Sequence, residues 1–242
     1  MTDRELRWKG SELSLPSWAA KFVAPTERYR WLVLPLLAWS AASLLAWVFL
    51  HLGNEVREGE TRSFDTYFLH AAQGLRAAHP WIAEVMRDLS GLGSTASLML
   101  LTLGACGYLA LTSMRMTAAI VALSIGTAAA SVGLLKASFG RLRPDASFAQ
   151  FAASGLSFPS GHSSMSAVVF LTLGVLLART HVSLTERCYI LGVAALLTLL
   201  VGISRAALGV HWATDVLGGW AFGTAWATAW LLIAGRLERP MR

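Results

Sequence analysis

Three short clusters of polar residues adjoin long apolar segments in the second half of the chain. They are Lys136 with Arg143 and Pro144; Pro159, Ser160, Gly161 and His162; and Ser204 and Arg205 with His211 and Asp215. Charged and polar side chains beside membrane-spanning segments are costly, so they usually mark a functional site. These clusters are therefore the first candidates for chemistry.

The cations and helix start among these residues suit a phosphoryl group. Such a group spreads negative charge over its oxygens during transfer, so its site needs fixed cations and backbone N–H donors. Lys136, Arg143 and Arg205 supply three cations, and a guanidinium can bind two phosphate oxygens at once. Ser160 and Gly161 precede an apolar segment, where a helix N-terminus would present free N–H groups to an anion.

The third cluster also contains a histidine and a carboxylate at helical spacing. His211 and Asp215 are four residues apart, so at the start of a helix they share one face. The carboxylate can then fix the tautomer of the imidazole and stabilise its cation. This arrangement suits a nucleophile that becomes a phosphohistidine.

The elements that must position these residues are long apolar segments. The chain has 242 residues, of which 55% are hydrophobic and 14% charged, whereas a soluble domain has about 25% charged residues. A helix needs about 20 apolar residues to cross the hydrocarbon core of a membrane. Six segments approach that length: 31–50, 94–113, 116–135, 162–178, 188–203 and 213–234. The sequence therefore predicts an all-α, polytopic membrane protein with a bundle of six transmembrane helices.

We expect one membrane-embedded domain over residues 1–242. In it, 1–30 is a cytoplasmic N-terminal segment, 31–234 the six-helix core and 235–242 a cytoplasmic tail. Residues 1–30 contain no long apolar core, which argues against a cleaved signal peptide. An amphipathic helix on the membrane surface and a flexible tail both fit this segment.

The longest predicted loop, 51–93, contains two short helical patterns. Apolar residues from Phe64 to Leu75 recur at helical spacing. Pro80 and Trp81 favour the start of a second helix, which would end before Gly91 and Gly93. We therefore expect two short interfacial helices in the first outer loop.

Charge predicts the orientation and disfavours some partners. Lys and Arg are retained on the cytoplasmic side of membranes. With six spans, the segments on the same side of the membrane as the N-terminus carry more Lys and Arg than the segments on the other side. Both termini should then be cytoplasmic, with the three clusters at the outer face. The net charge of +6 forms no basic stripe interleaved with aromatics, so a nucleic-acid partner is not indicated. Cys106 and Cys188 fall in or beside spans, which argues against a disulfide framework or metal site.

Taken together, the three clusters resemble the tripartite signature of the type 2 phosphatidic acid phosphatase superfamily. The resemblance implies a bacterial inner-membrane enzyme whose site faces the periplasm. It assigns His211 as the nucleophile and His162 as the acid that protonates the departing oxygen and then activates water. Asp215 supports His211. The residues that would bind the substrate phosphate are Lys136, Arg143, Ser160, Gly161 and Arg205. No metal or cofactor is expected, because cationic side chains take the place of a magnesium ion.

The resemblance implies a lipid phosphate or diphosphate as substrate, and the membrane as the enzyme's environment. Undecaprenyl diphosphate ranks narrowly ahead of phosphatidic acid and phosphatidylglycerophosphate, because an outward-facing site suits recycling of that carrier. A lipid phosphotransferase with a polyprenyl diphosphate donor would carry the same signature. A transporter or channel is disfavoured, because the charges lie on one face and no inverted repeat is apparent.

Four further charged residues lie near the same predicted face. We interpret Arg141 as an ordinary interfacial anchor. For Asp65, Asp88 and Asp145 two alternatives stay open. They line the entrance or tune the pKa of a catalytic group, or they are plain loop residues.

Overall fold

The structure of the protein is a computed structural model that describes residues 17–237, with the side chains of Val33 and of all residues from Pro35 onward. The choice between an amphipathic helix and a flexible tail for residues 1–30 depends on residues 1–16 and on side chains that lie outside this part. By its internal contacts the chain divides into two units, Met1–Leu37 and Ala38–Arg242. The expectation of one domain stays a prediction. All site residues belong to the second unit.

The described part of the chain is helical and has no strand. Its helices are α1 (Ser17–Glu58), α2 (Arg62–Ala78), α3 (Trp81–Leu92), α4 (Thr95–Leu111), α5 (Arg115–Phe139), α6 (Gly161–Arg179), α7 (Leu184–Ala207) and α8 (Ala213–Leu237). Six segments are long and apolar enough to cross a membrane: Pro35–Glu58, Trp81–Leu111, Arg115–Phe139, Gly161–Arg179, Leu184–Ala207 and Ala213–Leu237. The predicted all-α class with six spans is confirmed.

The segment between the first two predicted spans contains two short helices, α2 and α3, as predicted, and α3 ends just before Gly93, one of the two glycines predicted to stop it. Gly91 lies inside α3, which ends at Leu92. Only residues 93 and 94 separate α3 from α4, and Ser94 caps α4 by accepting a hydrogen bond from the N–H of Ser97 at 3.2 Å. Gly93 keeps a negative φ of −95°. The second candidate span therefore begins at Trp81 and not at residue 94.

Helix α6 is the most buried of the described spans. In its apolar stretch 56% of the residues are buried, against 33% or less in the other spans. It packs against α4, α5, α7 and α8. Two glycines of α8 allow the close approach of α8 to the start of α6. A Cβ at Gly219 would lie 2.8 Å from Cβ of Ser163, and one at Gly223 would lie 2.4 Å from the carbonyl oxygen of Ser164. These contacts hold the second polar cluster against the third.

An aromatic group lies beneath the second cluster. Phe158 is fully buried, with its ring 5.7 Å from that of Phe49 and 4.7 Å from that of Phe139. A Cβ at Gly218 would lie 2.6 Å from the Phe158 ring. Because Phe158 immediately precedes the Pro159 to His162 string, α1, α5 and α8 together fix its position.

Gly219→Ala should therefore destabilise the protein. The added methyl would overlap Ser163 and the Ser160 carbonyl, 2.9 Å away, and overpacking of this kind costs about 1–3 kcal/mol. Gly235→Ala is the matched control in the same helix, because nothing lies within 4 Å of the added Cβ. Thermal unfolding in detergent should show a lower midpoint for Gly219→Ala only. Equal midpoints for the two variants would contradict this packing.

Candidate active site

His211 is buried in the turn between α7 and α8, and its ring is held at both nitrogens. Nδ1 lies 3.2 Å from Oδ2 of Asp215, and Nε2 lies 3.0 Å from Nη1 of Arg143. A guanidinium can only donate, so Nε2 is the acceptor and Nδ1 carries the hydrogen, an assignment that follows from the hydrogen-bond network. The unprotonated nitrogen, Nε2, therefore faces a cation that can bind phosphate.

The electrostatic surroundings keep this imidazole neutral. Burial lowers the pKa of His211 to about 4; the charges of Arg143 and Lys136 act in the same direction, whereas Asp215 raises it. At neutral pH the ring therefore keeps its lone pair. If Nε2 formed a bond to phosphorus, the ring would become cationic, and the Asp215 carboxylate would stabilise that charge.

Asp215 lies in the first turn of α8 and is fully buried. Its Oδ1 accepts from Nη1 of Arg141 at 2.7 Å. Its Oδ2 accepts from the N–H of Trp212 at 2.9 Å and from the hydroxyl of Ser157, besides contacting His211. The predicted His211–Asp215 pair is thus present, and both carboxylate oxygens of Asp215 have hydrogen-bond partners.

Lys136 and Arg143 are held by backbone carbonyls of the segment before α6. Nζ of Lys136 donates to the carbonyls of Leu156 and Ser157 at 2.6 and 3.1 Å. Arg143 donates through Nε to residues 154 and 155 and through Nη1 to the Val210 carbonyl at 2.8 Å. Within residues 17–237 neither cation forms an ion pair with a carboxylate. Their charge therefore remains available to an anion.

Arg205 lies in the last turn of α7 and is 5% exposed. Its Nη1 donates to Oγ of Ser90 at 2.6 Å, and its guanidinium lies 5.3 Å from the centroid of the Phe151 ring. Its Nε is buried and has no hydrogen-bond partner among the described residues. An anion beside Arg205 would give this N–H the acceptor it lacks.

His162 lies in the first turn of α6 and is half-buried. The charges of Arg205, Arg143 and Lys136 act on its ring. The structure therefore brings all three polar clusters together at one place, as the sequence predicts. His162 and Gly161 also adjoin an apolar groove of about 400 Å³ between α4, α5 and α6, lined by residues that include Leu98, Met99, Leu103, Ile125, Val132 and Met165.

Ser160 and Gly161 form the start of α6. Ser160 is fully buried, and its Oγ caps the helix by accepting from the N–H of Ser163 at 3.4 Å. Its own N–H donates to the Asp215 carbonyl at 3.0 Å. Gly161 lies beside Lys136, since a Cβ there would be 3.9 Å from Cε of the lysine. Phosphate binding by Ser160 and Gly161 stays a prediction.

The interpretation of Arg141 as an interfacial anchor is wrong. Arg141 is 15% exposed and forms ion pairs with Asp65 and Asp215, because two buried carboxylates need a counter-charge. Asp65 is 1% exposed, so it does not line an entrance. Asp145 is exposed and caps a 3-10 turn through the N–H of Ser147, while Asp88 is exposed on α3.

Several supporting residues lie outside the predicted clusters. Ser157 bonds Asp215, Ser90 bonds Arg205, and Thr214 bonds both Asp65 and Arg141. Arg76 on α2 donates to the carbonyls of Ala207 and Phe148, which joins the end of α7 to the segment after Arg143. Ser157 stands two residues before Pro159 and Thr214 directly before Asp215, and this closeness to the clusters is the sequence signal that could have found them.

The fold and the site define a helical membrane protein in which cationic side chains surround a buried histidine–aspartate pair. The family model described as "PAP2 superfamily" matches residues 117–239. Phosphatidylglycerophosphatase B of Bacillus subtilis is 34% identical over 179 residues, 72% of this chain and 85% of that protein. The chain belongs to the PAP2 superfamily and is a membrane phosphatase that acts on lipid phosphates.

A solved structure and a second kind of relative agree with this. The crystal structure of a transmembrane PAP2-type phosphatidylglycerolphosphate phosphatase from Bacillus subtilis aligns with a TM-score of 0.76 and 30% identity, over 83% of this chain and 98% of the other. Lipid A 1-phosphatase of Rhizobium johnstonii is 32% identical over 161 residues, 57% of this chain and 62% of that protein.

Proposed function

We propose that this enzyme hydrolyses its lipid phosphate through a phosphohistidine on Nε2 of His211, without a metal ion. The observation that carries the proposal is the buried, neutral imidazole whose Nδ1–H faces Asp215 and whose Nε2 faces Arg143. A nucleophile needs this combination of an unprotonated nitrogen on one side of the ring and a carboxylate on the other.

In the first step, Nη1 of Arg143 donates to a phosphoryl oxygen instead of to Nε2 of His211, the freed Nε2 lone pair attacks phosphorus, and the bond from phosphorus to the lipid oxygen breaks. His162, in its protonated form, donates a proton to the departing oxygen. Lys136, Arg143 and Arg205 bind the phosphoryl oxygens and stabilise their charge. The products of this step are the lipid alcohol, or the lipid monophosphate from a diphosphate, and a phosphorylated His211.

In the second step, the now neutral His162 accepts a proton from water while the water oxygen attacks phosphorus. The nitrogen–phosphorus bond breaks, inorganic phosphate leaves, and the electron pair returns to Nε2 of His211. His162 is again protonated. Because His211 keeps its Nδ1 hydrogen towards Asp215 throughout, the enzyme returns to its starting state.

Among lipid phosphates we propose phosphatidylglycerophosphate first. The relative that aligns over 85% of its own length carries the name phosphatidylglycerophosphatase B. The apolar groove beside His162 and Gly161 offers a surface for an acyl chain next to the phosphate site. Undecaprenyl diphosphate and phosphatidic acid follow, since the cationic site contacts only the phosphate.

We further propose that the site faces the outer side of the membrane, with both termini in the cytoplasm. The site is built from the end of α5, the start of α6, the end of α7 and the start of α8, which all fall on one face if each helix crosses the membrane. The distribution of Lys and Arg supports the outer face.

Phosphate release tests this function. Purified protein in detergent, with EDTA present, should release phosphate from phosphatidylglycerophosphate, and at lower rates from phosphatidic acid and undecaprenyl diphosphate. In water enriched in ¹⁸O, each released phosphate should gain one ¹⁸O atom, because water is the acceptor. An absolute requirement for magnesium would contradict the metal-free mechanism. Transfer of label to another lipid without ¹⁸O uptake would show a phosphotransferase.

A further inference from the structure

Arg141 joins two carboxylates that are far apart along the chain. Its Nη1 donates to Oδ1 of Asp215 at 2.7 Å, and its Nη2 donates to Oδ2 of Asp65. The two aspartates are 1% and 0% exposed and Arg141 is 15% exposed. Arg141 is 76 residues from Asp65 and 74 from Asp215. The bridge therefore connects α2, the segment after α5 and the start of α8.

Thr214 completes the contacts of Asp65. Its N–H donates to Oδ1 of Asp65 at 2.9 Å, and its hydroxyl lies 2.9 and 2.7 Å from the two carboxylate oxygens. The Thr214 hydroxyl also accepts from Nη1 of Arg141 at 2.8 Å. Both oxygens of Asp65 are thus bonded within the protein. Any influence of Asp65 on the reaction must pass through Arg141 and the start of α8.

The charges of the bridge explain why two carboxylates are needed. Arg141 bonded to Asp215 alone would offset the negative charge that supports His211. Asp65 supplies a second negative charge, so that the three residues together carry a net charge of −1. That charge is available to the imidazole when it becomes cationic on forming its bond to phosphorus.

The hydrogen-bond geometry of Arg141 also supports the contact between Asp215 and His211. Arg141 occupies Oδ1 of Asp215, whereas His211 contacts Oδ2. The carboxylate plane is therefore fixed by Arg141 from the side opposite the histidine. A second contact holds the guanidinium itself, which lies 5.5 Å from the centroid of the Trp212 ring.

We propose that Asp65 and Arg141 are positioning residues for phosphoryl transfer, which hold Asp215 and preserve its charge for His211. This inference rests on the proposed roles of His211 and Asp215. It gives helix α2 a role in catalysis, through Asp65, although α2 contributes no residue to the three polar clusters. Its effect should lie in the rate of the chemical step and not in the binding of substrate.

The test compares Asp65→Asn, Arg141→Met and the double variant, with kcat and KM measured on phosphatidylglycerophosphate in detergent. Loss of precise positioning should lower kcat of Asp65→Asn on the order of 10- to 100-fold, with KM little changed. Arg141→Met should lose at least as much. The double variant should be no slower than Arg141→Met, because residues that act as one unit are not additive.

Asp88→Asn is the matched control, since Asp88 is an exposed aspartate on the neighbouring helix α3, and its kcat should equal that of the wild type. Size-exclusion profiles and thermal midpoints measure the folded fraction, so that kcat refers to folded protein. If Asp65→Asn does not fold, Arg141→Lys decides, because an ammonium keeps the charge but lacks the two-pronged geometry. Its kcat should fall with KM unchanged.

Several results would overturn the inference. They are a wild-type kcat in Asp65→Asn or Arg141→Lys, additive losses in the double variant, and a raised KM with kcat kept, which would place Arg141 in substrate binding. A wild-type protein that releases no phosphate from any lipid phosphate would instead contradict the proposed function. The two failures are therefore distinguishable.

Discussion

His211→Ala should abolish both the covalent labelling of the protein and its turnover, whereas His162→Ala should slow both steps without preventing the first. The structure separates the two histidines physically. His211 is buried and bonded to Asp215 and Arg143, while His162 is half-buried beside the apolar groove. A buried, oriented ring suits the nucleophile, and a ring next to the groove that adjoins the lipid suits the acid.

The size of the defects should differ between the variants. General acid–base help is worth roughly 10²- to 10⁴-fold, so His162→Ala should be labelled slowly by a ³²P-labelled lipid and should release the label slowly. His211→Ala has no atom in place of Nε2 and should show no label at any time. Rapid quenching at alkaline pH, where phosphohistidine survives, measures both rates.

A control guards against general disruption. His181→Ala changes an exposed histidine whose Nδ1 contacts Glu186 at the start of α7, at the opposite end of that helix from Arg205. It should label and turn over like the wild type. Covalent labelling of His211→Ala, or a wild-type labelling rate in His162→Ala, would reverse or remove the assigned roles.

Asp215→Asn should lower kcat by roughly 10²- to 10⁴-fold, as for other carboxylates that orient a catalytic histidine. The amide keeps the volume of the side chain but carries no charge. Its NH₂ group would also face donors, because Arg141, Trp212 and Ser157 all donate to the carboxylate. The tautomer of His211 would then no longer be fixed.

Asp145→Asn is the matched control for this variant. Asp145 is exposed near the same site, and its side chain accepts from the N–H of Ser147 at 2.8 Å, a cap that asparagine can also form. Its kcat should stay close to that of the wild type. A kcat for Asp215→Asn within about tenfold of the wild type, against the expected loss of roughly 10²- to 10⁴-fold, would show that the His211–Asp215 contact contributes little.

The helices and the three clusters follow from sequence because their signals are local. Apolar length predicts spans, and the four-residue spacing of His211 and Asp215 predicts their contact, although His211 lies in the turn before α8 and not within the helix. The end of α3 before Gly93 could be predicted, whereas the start of the second span at Trp81 could not, because a glycine stop does not show that α4 follows after only residues 93 and 94.

The bridge of Asp65, Arg141 and Asp215 could not be predicted, because it depends on tertiary contact. An arginine next to a predicted membrane surface has the same local pattern whether it anchors the helix or pairs with a buried carboxylate. The partner of Arg141 in α2 lies 76 residues away. Ser90 and Arg205 are likewise 115 residues apart, so no spacing rule connects them.

The most direct test of the central claim is the position of the phosphoryl group in the trapped intermediate. Wild-type protein is mixed briefly with ³²P-labelled phosphatidylglycerophosphate in EDTA, quenched with alkali and digested, and the labelled peptide is mapped by mass spectrometry. Our account predicts an acid-labile phosphoryl group on Nε2 of His211. A phosphoryl group on His162, or full turnover with no covalent intermediate on the millisecond scale, would contradict it.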